Sequence, residues 1–322
     1  MKLLVEKEDD GKRLDICLSK RINQFTRSNI KKIIESNNVK INKKITNFSS
    51  KKVKLNDEIE INFENKDNHS LLPSKIKLDV QYEDDDILIV NKPKGMVVHP
   101  GAGNNKNTLA NALVFKYKKK LSNINGNLRP GIVHRIDKET SGLLVIAKNN
   151  FSHAILGKQF SDHSIKRKYL CLVWGVIRPL KGSIKTLICR NKKNRQLMTV
   201  SELNGKTAIT NYETIKVFNI KDVPRISLVE CKLETGRTHQ IRVHMKYKGA
   251  SLLGDQQYGK KNLKFKKINE DFNKQLNCLN GQALHAKSIG FMHPTKNKWV
   301  NFDSSLPNDF KKLLEILKKL DS

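Results

Sequence analysis

The stretch that most constrains this chain is Gly131 to Lys148, GIVHRIDKETSGLLVIAK. Leu143 to Ala147 is an unbroken apolar run behind Gly142, which reads as a short strand buried on both faces. The residues before it have the opposite character. His134, Arg135, Asp137, Lys138 and Glu139 put five ionisable groups within six residues, and Thr140, Ser141 and Gly142 make the turn. A charged cluster delivered by a turn at the mouth of a buried strand is one way a rigid scaffold presents reactive groups. Asp137 could equally serve only the backbone of its own turn, as Asp does in many loops.

The 322 residues suffice for a full core and for two or three domains. The chain carries 62 Lys and Arg against 31 Asp and Glu, a formal charge of +31. That exceeds what solubility needs and points to an anionic polymer as partner. AT-rich coding would account for part of the lysine, but not for acids at half the basic count. No apolar run approaches the ~18 residues of a membrane span, and no basic amphipathic helix with a bulky apolar face stands out. The five cysteines are scattered, odd in number and lack a C-x-x-C pair. They read as thiols of a reducing compartment, so a cytoplasmic protein is expected. The apolar patch of MKLLVEKEDD is too short for a signal peptide.

Residues 1–64 form a first unit. Leu14, Cys17, Leu18 and Ile22 recur at helical spacing, and Thr26 is placed to cap a second helix whose inner face is Ile30, Ile33 and Ile34. Strands are expected from Val39 to Ile41 and among Val53, Leu55, Ile59, Ile61 and Phe63. Arg27, Lys31, Lys32, Lys43 and Lys44 are left for a basic outer face, which on its own could be an ordinary solvated surface. Residues 65–75, polar and containing Pro73, read as a linker. From 76 to 322 the order is strand-rich. Buried strands are expected at Ile87–Val90 and Leu143–Ala147, and further strands at Leu170–Val176, Ser183–Ile188, Thr210–Phe218 and Arg225–Leu233. Helices are expected at Thr108–Phe115, Ser152–Phe160, Thr238–Gly249 and Pro307–Leu320, and an exposed loop at Asn262–Asn277. The class is α+β, a small N-terminal module followed by a mixed α/β domain.

His-Arg-Ile-Asp-Lys-Glu-Thr-Ser-Gly, residues 134–142, resembles the signature loop of the RNA pseudouridine synthases that act on large-subunit ribosomal RNA. Ile136 stands where relatives usually have Leu. Asn91-Lys92-Pro93, the run His99-Pro100-Gly101-Ala102-Gly103, Lys168-Tyr169 and Gly236-Arg237-Thr238-His239-Gln240-Ile241-Arg242 resemble further family segments in the expected order. The His-Pro-Gly run is similar to the branch that modifies a stem-loop of 23S ribosomal RNA. Ala250-Ser251 departs from the usual His-Pro. Residues 1–64, with Arg13-Leu14-Asp15 and Asp57-Glu58-Ile59, resemble the S4-type RNA-binding module.

The resemblance implies that Asp137 is the catalytic residue, acting at ribose C1′ of a flipped uridine. It implies that Arg242 pairs with Asp137, Tyr169 stacks on the target uracil, and Arg135 fills the gap the flipped nucleotide leaves. His134, Arg237, His239 and Gln240, with Arg27, Lys31, Lys32, Lys43 and Lys44, are candidate RNA contacts. Arg supplies 12 of the 62 basic residues, and Arg135, Arg237 and Arg242 lie in the two motif segments. In a chain that otherwise uses Lys, a retained Arg marks a need for a planar fork. The implied isomerisation needs no cofactor. His239 and His244 are five apart, which does not put two ligands on one helix face, so no metal is expected. The expected partner is 23S rRNA or the assembling large subunit, met by a monomer; other rRNA or tRNA uridines are the alternative substrate. Two rivals stay open. A glycoside hydrolase could pair Asp137 with Glu139 or Asp162, against the sense of the charge. A non-catalytic RNA-binding or ribosome-assembly protein would need only the basic face.

Overall fold

The computed structural model describes residues 1–22, 27–62, 71–101, 103–104, 106–118, 120–221, 224–259 and 270–321. Thr26, Phe63, the first part of the expected linker and 262–269 of the expected loop lie outside them. The chain divides into two compact units, Met1–Ser70 and Leu71–Ser322.

The first unit packs two helices, α1 (Leu14–Arg21) and α2 (Arg27–Glu35), on a sheet of β1 (Lys2–Leu4), β2 (Val39–Ile41), β3 (Lys44–Ile45) and β4 (Glu58–Ile61), in the order β1-β4-β2-β3. The apolar spacing seen in the sequence closes one core of Leu14, Leu18, Ile30, Ile34, Val39, Ile59 and Ile61. Val53 is fully buried but lies outside any strand, and Leu55 is an exposed turn residue. Period-two alternation there reports burial, not pairing.

The second unit is built on one ten-stranded sheet. Its strands are β5 (Val80–Glu83), β6 (Ile87–Lys92), β7 (Ser141–Ala147), β8 (Lys166–Trp174), β9 (Lys181–Arg190), β10 (Met198–Ser201), β11 (Lys206–Phe218), β12 (Ile226–Leu233), β13 (Leu284–Met292) and β14 (Trp299–Asp303). The order is β10-β9-β11-β12-β8-β13-β7-β6-β5, with β14 on the second half of β13. All seven residues of β7 are buried, as the apolar run requires. Its contact with β13 is parallel and unusually close. A Cβ on Gly142, at φ +115°, would meet the Ala286 carbonyl at 2.3 Å, so only glycine lets the two backbones approach there.

Helices cover the sheet. In α3 (Leu109–Tyr117) a Thr108–Asn111 capping box closes the first turn. In α4 (Asn150–Ser161) Asn149 accepts from the Ser152 amide. The expected helix after Thr238 is α5 (Gln240–Tyr247), and it begins later than Thr238 would place it. The backbone passes through the left-handed region at His239, φ 55°. Two expectations are corrected. Residues 270–277, assigned to the exposed loop, lie in α6 (Glu270–Cys278), because Phe272 is buried against the chain's last helix, α7 (Asn308–Leu320). Tyr169, expected at a strand start, lies inside β8, since pairing with β12 begins at Arg167–Leu233. No helix among the described residues is long and apolar enough to cross a membrane.

Candidate active site

Three neighbouring parts of the sheet meet at one cavity of about 280 Å³. The 134–140 loop enters β7 and carries Asp137. Strand β8 carries Arg167 and Tyr169, two residues apart and on one face. The 234–239 loop leaves β12 and enters α5, which carries Arg242. All of these residues line the cavity.

Asp137 is partly accessible, its side chain 19% exposed. Its Oδ2 accepts a hydrogen bond from Arg242 Nη1 at 3.2 Å, while among the described residues the polar group near Oδ1 is His239 Nε2, at 3.9 Å. That second separation is beyond hydrogen bonding. One carboxylate oxygen therefore remains available to the cavity.

Arg242 does not belong to Asp137 alone. Its Nε and Nη2 form a bidentate pair with Asp255 at 2.8 and 2.9 Å, and Nη2 also donates to Gln257. Asp255 in turn accepts the Gln257 and Tyr258 amides. The Arg242 guanidinium lies 4.8 Å from the Tyr258 ring. Burial disfavours its charge, yet the Asp255 and Asp137 carboxylates more than offset this and raise its pKa above the usual arginine value. Arg242 is thus a fixed cation with one nitrogen, Nη1, left for Asp137.

The Asp137 loop is also held from behind. Lys92 is fully buried, and its ammonium donates to the carbonyls of Pro93, Met96 and Lys138 at 2.8, 2.8 and 3.0 Å. Burial pushes its pKa down to about 7, with Glu139 and Asp137 pulling the other way. The Lys138 carbonyl also takes the Gly95 amide, so the residue after Asp137 is pinned twice.

Tyr169 is buried, and burial raises its phenol pKa, with Arg167 opposing and Asp137 reinforcing. A phenol kept protonated suits a stacking surface better than a base. Arg135 is exposed, and its Nη1 lies 3.1 Å from His99 Nε2. His99 Nδ1 lies 3.0 Å from the Pro100 carbonyl. The arrangement requires neutral His99 with its proton on Nδ1, and burial lowers its pKa accordingly.

Other expected RNA contacts are placed differently. Gln240 is 3% exposed and spends its amide inside. It accepts from Thr235 and the Arg237 amide and donates to Ile209 and Thr210. With every polar group satisfied there, it organises the start of α5 from a place in the cavity wall. His134 accepts the Val145 amide at 3.1 Å and stacks on Phe160 at 4.6 Å. Burial, then Arg167, pushes its pKa down to about 3. It braces β7 as a neutral ring. Arg237 is half-buried and donates to the Thr207 carbonyl. His239 contacts Tyr258, whose hydroxyl already accepts the Met198 amide. The hydroxyl proton goes to His239 Nδ1, leaving Nε2–H towards Asp137. Burial lowers the His239 pKa despite that carboxylate.

In the first unit, Lys32, Lys43 and Lys44 are exposed. Lys31 lies 3.6 Å from Glu35, and Arg27 grips the buried Asp15 at 2.9 Å. Sequence reasoning missed Asp255, Lys92, His99 and Arg167 as working parts. Lys92 and His99 sat in recognised segments, and Asp255 followed Leu252-Leu253-Gly254, but nothing local named their partners.

Family comparison agrees with this architecture. Residues 86–247 match the RNA pseudouridylate synthase family and residues 12–59 match the S4 domain. The chain is 44% identical over 310 residues to a ribosomal large subunit pseudouridine synthase D of Zymomonas mobilis, covering 95% of this chain and 94% of that one. It is 40% identical over 318 residues, 98% of each chain, to an uncharacterized RNA pseudouridine synthase of Bacillus subtilis. The solved human RNA pseudouridylate synthase domain containing 4 shares the fold, with a TM-score of 0.58 and 24% identity over 74% of this chain and 92% of that one.

Proposed function

This chain belongs to the RNA pseudouridylate synthase family, and we propose that it converts specific uridines of 23S ribosomal RNA, presented on a large-subunit stem-loop, to pseudouridine. Several relatives bear the name ribosomal large subunit pseudouridine synthase D. The observation that carries the reading is Asp137, one oxygen tied to Arg242 and the other open to a cavity lined by Tyr169. A cavity of about 280 Å³ suits one base taken out of its helix, not a stretch of nucleic acid.

In this reading Asp137 acts at C1′, as nucleophile or as counter-charge to a cationic sugar. Arg242, itself fixed by Asp255, holds the carboxylate aimed. Tyr169 stacks on the uracil, and Arg135 enters the gap left in the RNA. The S4 unit binds flanking phosphates through its exposed bases, and the reaction runs in the cytoplasm on a monomer without a cofactor or metal. The sequence placed the domains at 1–64 and 76–322, joined by 65–75; the compact units divide at Ser70, because Leu71 is buried in the second unit's core and the Asn111 amide donates to the Leu72 carbonyl. The test is to map pseudouridines in large-subunit rRNA from cells lacking the protein, then restore the wild-type chain or Asp137→Asn. Sites should vanish and return only with wild type. An unchanged map would sink the 23S assignment.

A further inference from the structure

Arg167 is the cavity's unexplained charge. It is 8% exposed, yet no carboxylate pairs with it among the described residues. Among the described residues its hydrogen bond runs from Nη2 to the Glu234 carbonyl at 3.3 Å, and Nε is buried with no partner there. Phe160 offers a ring face 5.5 Å from the guanidinium carbon, a partial compensation. Burial lowers its pKa, with Tyr169 opposing and the nearby Arg237 reinforcing. Leaving a buried cation this poorly matched costs stability unless a ligand completes the site. Gly236 lies close against it. A Cβ at that position would sit 2.7 Å from Nη1.

The ligand must be anionic or become so. Asp137 is the one acid lining the cavity among the described residues, and Arg242 already serves it. Depth selects the ligand further. RNA phosphates travel along a protein surface, where exposed Arg135 can meet them. Arg167 lies at the level of Tyr169, on the same face of β8 and roughly 6.6 Å along the strand. A uracil stacked on Tyr169 brings its polar edge within reach of Arg167.

We propose that Arg167 is a catalytic residue that stabilises the negative charge appearing on uracil when its bond to ribose breaks. This rests on the pseudouridine synthase reading of the same cavity. The C1′–N1 bond breaks and its electron pair goes to N1, so the base departs as an anion with charge shared by its carbonyl oxygens. Asp137 bonds to C1′ or balances its positive charge. After the base turns, a C5 electron pair forms the bond to C1′, any Asp137–C1′ bond breaks with its pair returning to the carboxylate, C5 loses its proton and N1 gains one. Nothing is oxidised and no co-reactant is consumed. Arg167 acts between these steps, as a fixed cation matched to charge that exists only in transit.

The test uses the full chain, a labelled rRNA stem-loop, and single-turnover kinetics with enzyme in excess. Arg167→Gln should slow uridine conversion by roughly 100- to 1,000-fold. RNA affinity and its salt dependence should stay at wild-type values, and Arg167→Lys should recover part of the rate. A stem-loop with 5-fluorouridine at the target offers a more acidic leaving base. The Arg167→Gln penalty on C1′–N1 cleavage should shrink with it. An equal penalty for both bases would reduce Arg167 to a structural part. Weakened affinity with a shallower salt slope would make it a phosphate contact. Unchanged conversion would also overturn the proposal. Should Arg167→Gln melt below the assay temperature, Arg167→Lys with the two bases decides by the same criterion. Lack of conversion by the wild-type chain would instead strike the functional reading itself.

Discussion

The two units solve the same electrostatic problem with opposite signs. In the S4 unit the acids are inside. Asp15, 2% exposed, holds Arg13 and Arg27, whose side chains are 43% and 55% exposed. Asp9, 3% exposed, holds Arg21 and Lys12. In the catalytic unit the base is inside. Arg242, 6% exposed, is locked by Asp255, fully buried, and holds Asp137 at 19% exposure. One unit buries carboxylates to aim cations outward; the other buries a cation to aim one carboxylate into a cavity. The difference teaches that the buried member sets direction. A buried ion cannot turn without losing its partners, whereas an exposed one would swing freely.

The strongest way to break the comparison is at the aimed carboxylate. Asp137→Asn keeps the shape and removes the charge. Pseudouridine formation should become undetectable, while RNA affinity stays within about twofold and the melting temperature shifts by only a few degrees. Near-normal conversion of a labelled stem-loop would return Asp137 to a mere turn residue.

Next comes the buried anchor. Asp255→Asn leaves Arg242 inside with one carboxylate instead of two. Stability should fall by about 3–5 kcal/mol in urea titration, and single-turnover rate by at least ~100-fold as Arg242 swings to Asp137. A full rate in folded Asp255→Asn would show that Arg242 needs no second partner to aim Asp137.

Acid should separate the units. Six histidines of the catalytic unit have lowered values: His99, His134, His153, His239, His244 and His285. Burial is the leading cause in each. Between the unfolded value of 6.5 and the folded ones, about 3 for His134 and about 4 for His244 and His285, the unfolded chain binds more protons. Their stabilisation is complete above about pH 6.5 and is lost as pH falls towards those folded values. The described residues of the S4 unit contain no histidine. Its Asp15 is lowered by Arg13, against burial and with help from Arg27, and loses its contribution only below 3.8. Both tryptophans, Trp174 and Trp299, lie in the catalytic unit. Tryptophan fluorescence should therefore lose thermal stability at higher pH than the residual circular dichroism. Coincident loss at every pH would contradict the division.

The smallest effect is expected at the S4 unit's anchor. Asp15→Asn loosens Arg13 and Arg27 without removing them. RNA affinity should weaken a few-fold, and the log–log salt slope should fall by about 0.7 to 0.9 if one phosphate contact is lost. The single-turnover rate at saturating enzyme should not change. A slope identical to wild type would show that Asp15 aims nothing at RNA.

Much of this was legible in the chain. The apolar run Leu143–Ala147 named its own burial, and all of it lies inside the sheet. Phe310, Leu313, Leu314 and Leu317 named the inner face of the last helix. Periodicity is local, so the sequence carries it openly. What the sequence did not show shares one cause. Gln240 and His134 sit in charged, motif-like runs, but what a polar side chain does depends on partners far along the chain. The partners of Gln240 come from 209, 210, 235 and 237, and the partner of His134 is the Val145 amide. Alternation along β8 does place Arg167 beside Tyr169, a signal that the residue order itself carries. It could not say that Arg167 would lack a carboxylate.

By itself, then, the sequence determined the α+β class, the buried strand, the charged loop before it and the excess of positive charge, because each depends on neighbouring residues or on simple sums. Only the tertiary structure decided which charges are paired. Asp137 and Arg242 are 105 residues apart, and Lys92 reaches a carbonyl 46 residues away. Sheet order brings these groups together, and burial then sets their energies. An ion's worth lies in its surroundings, which the fold assembles and the linear chain does not display.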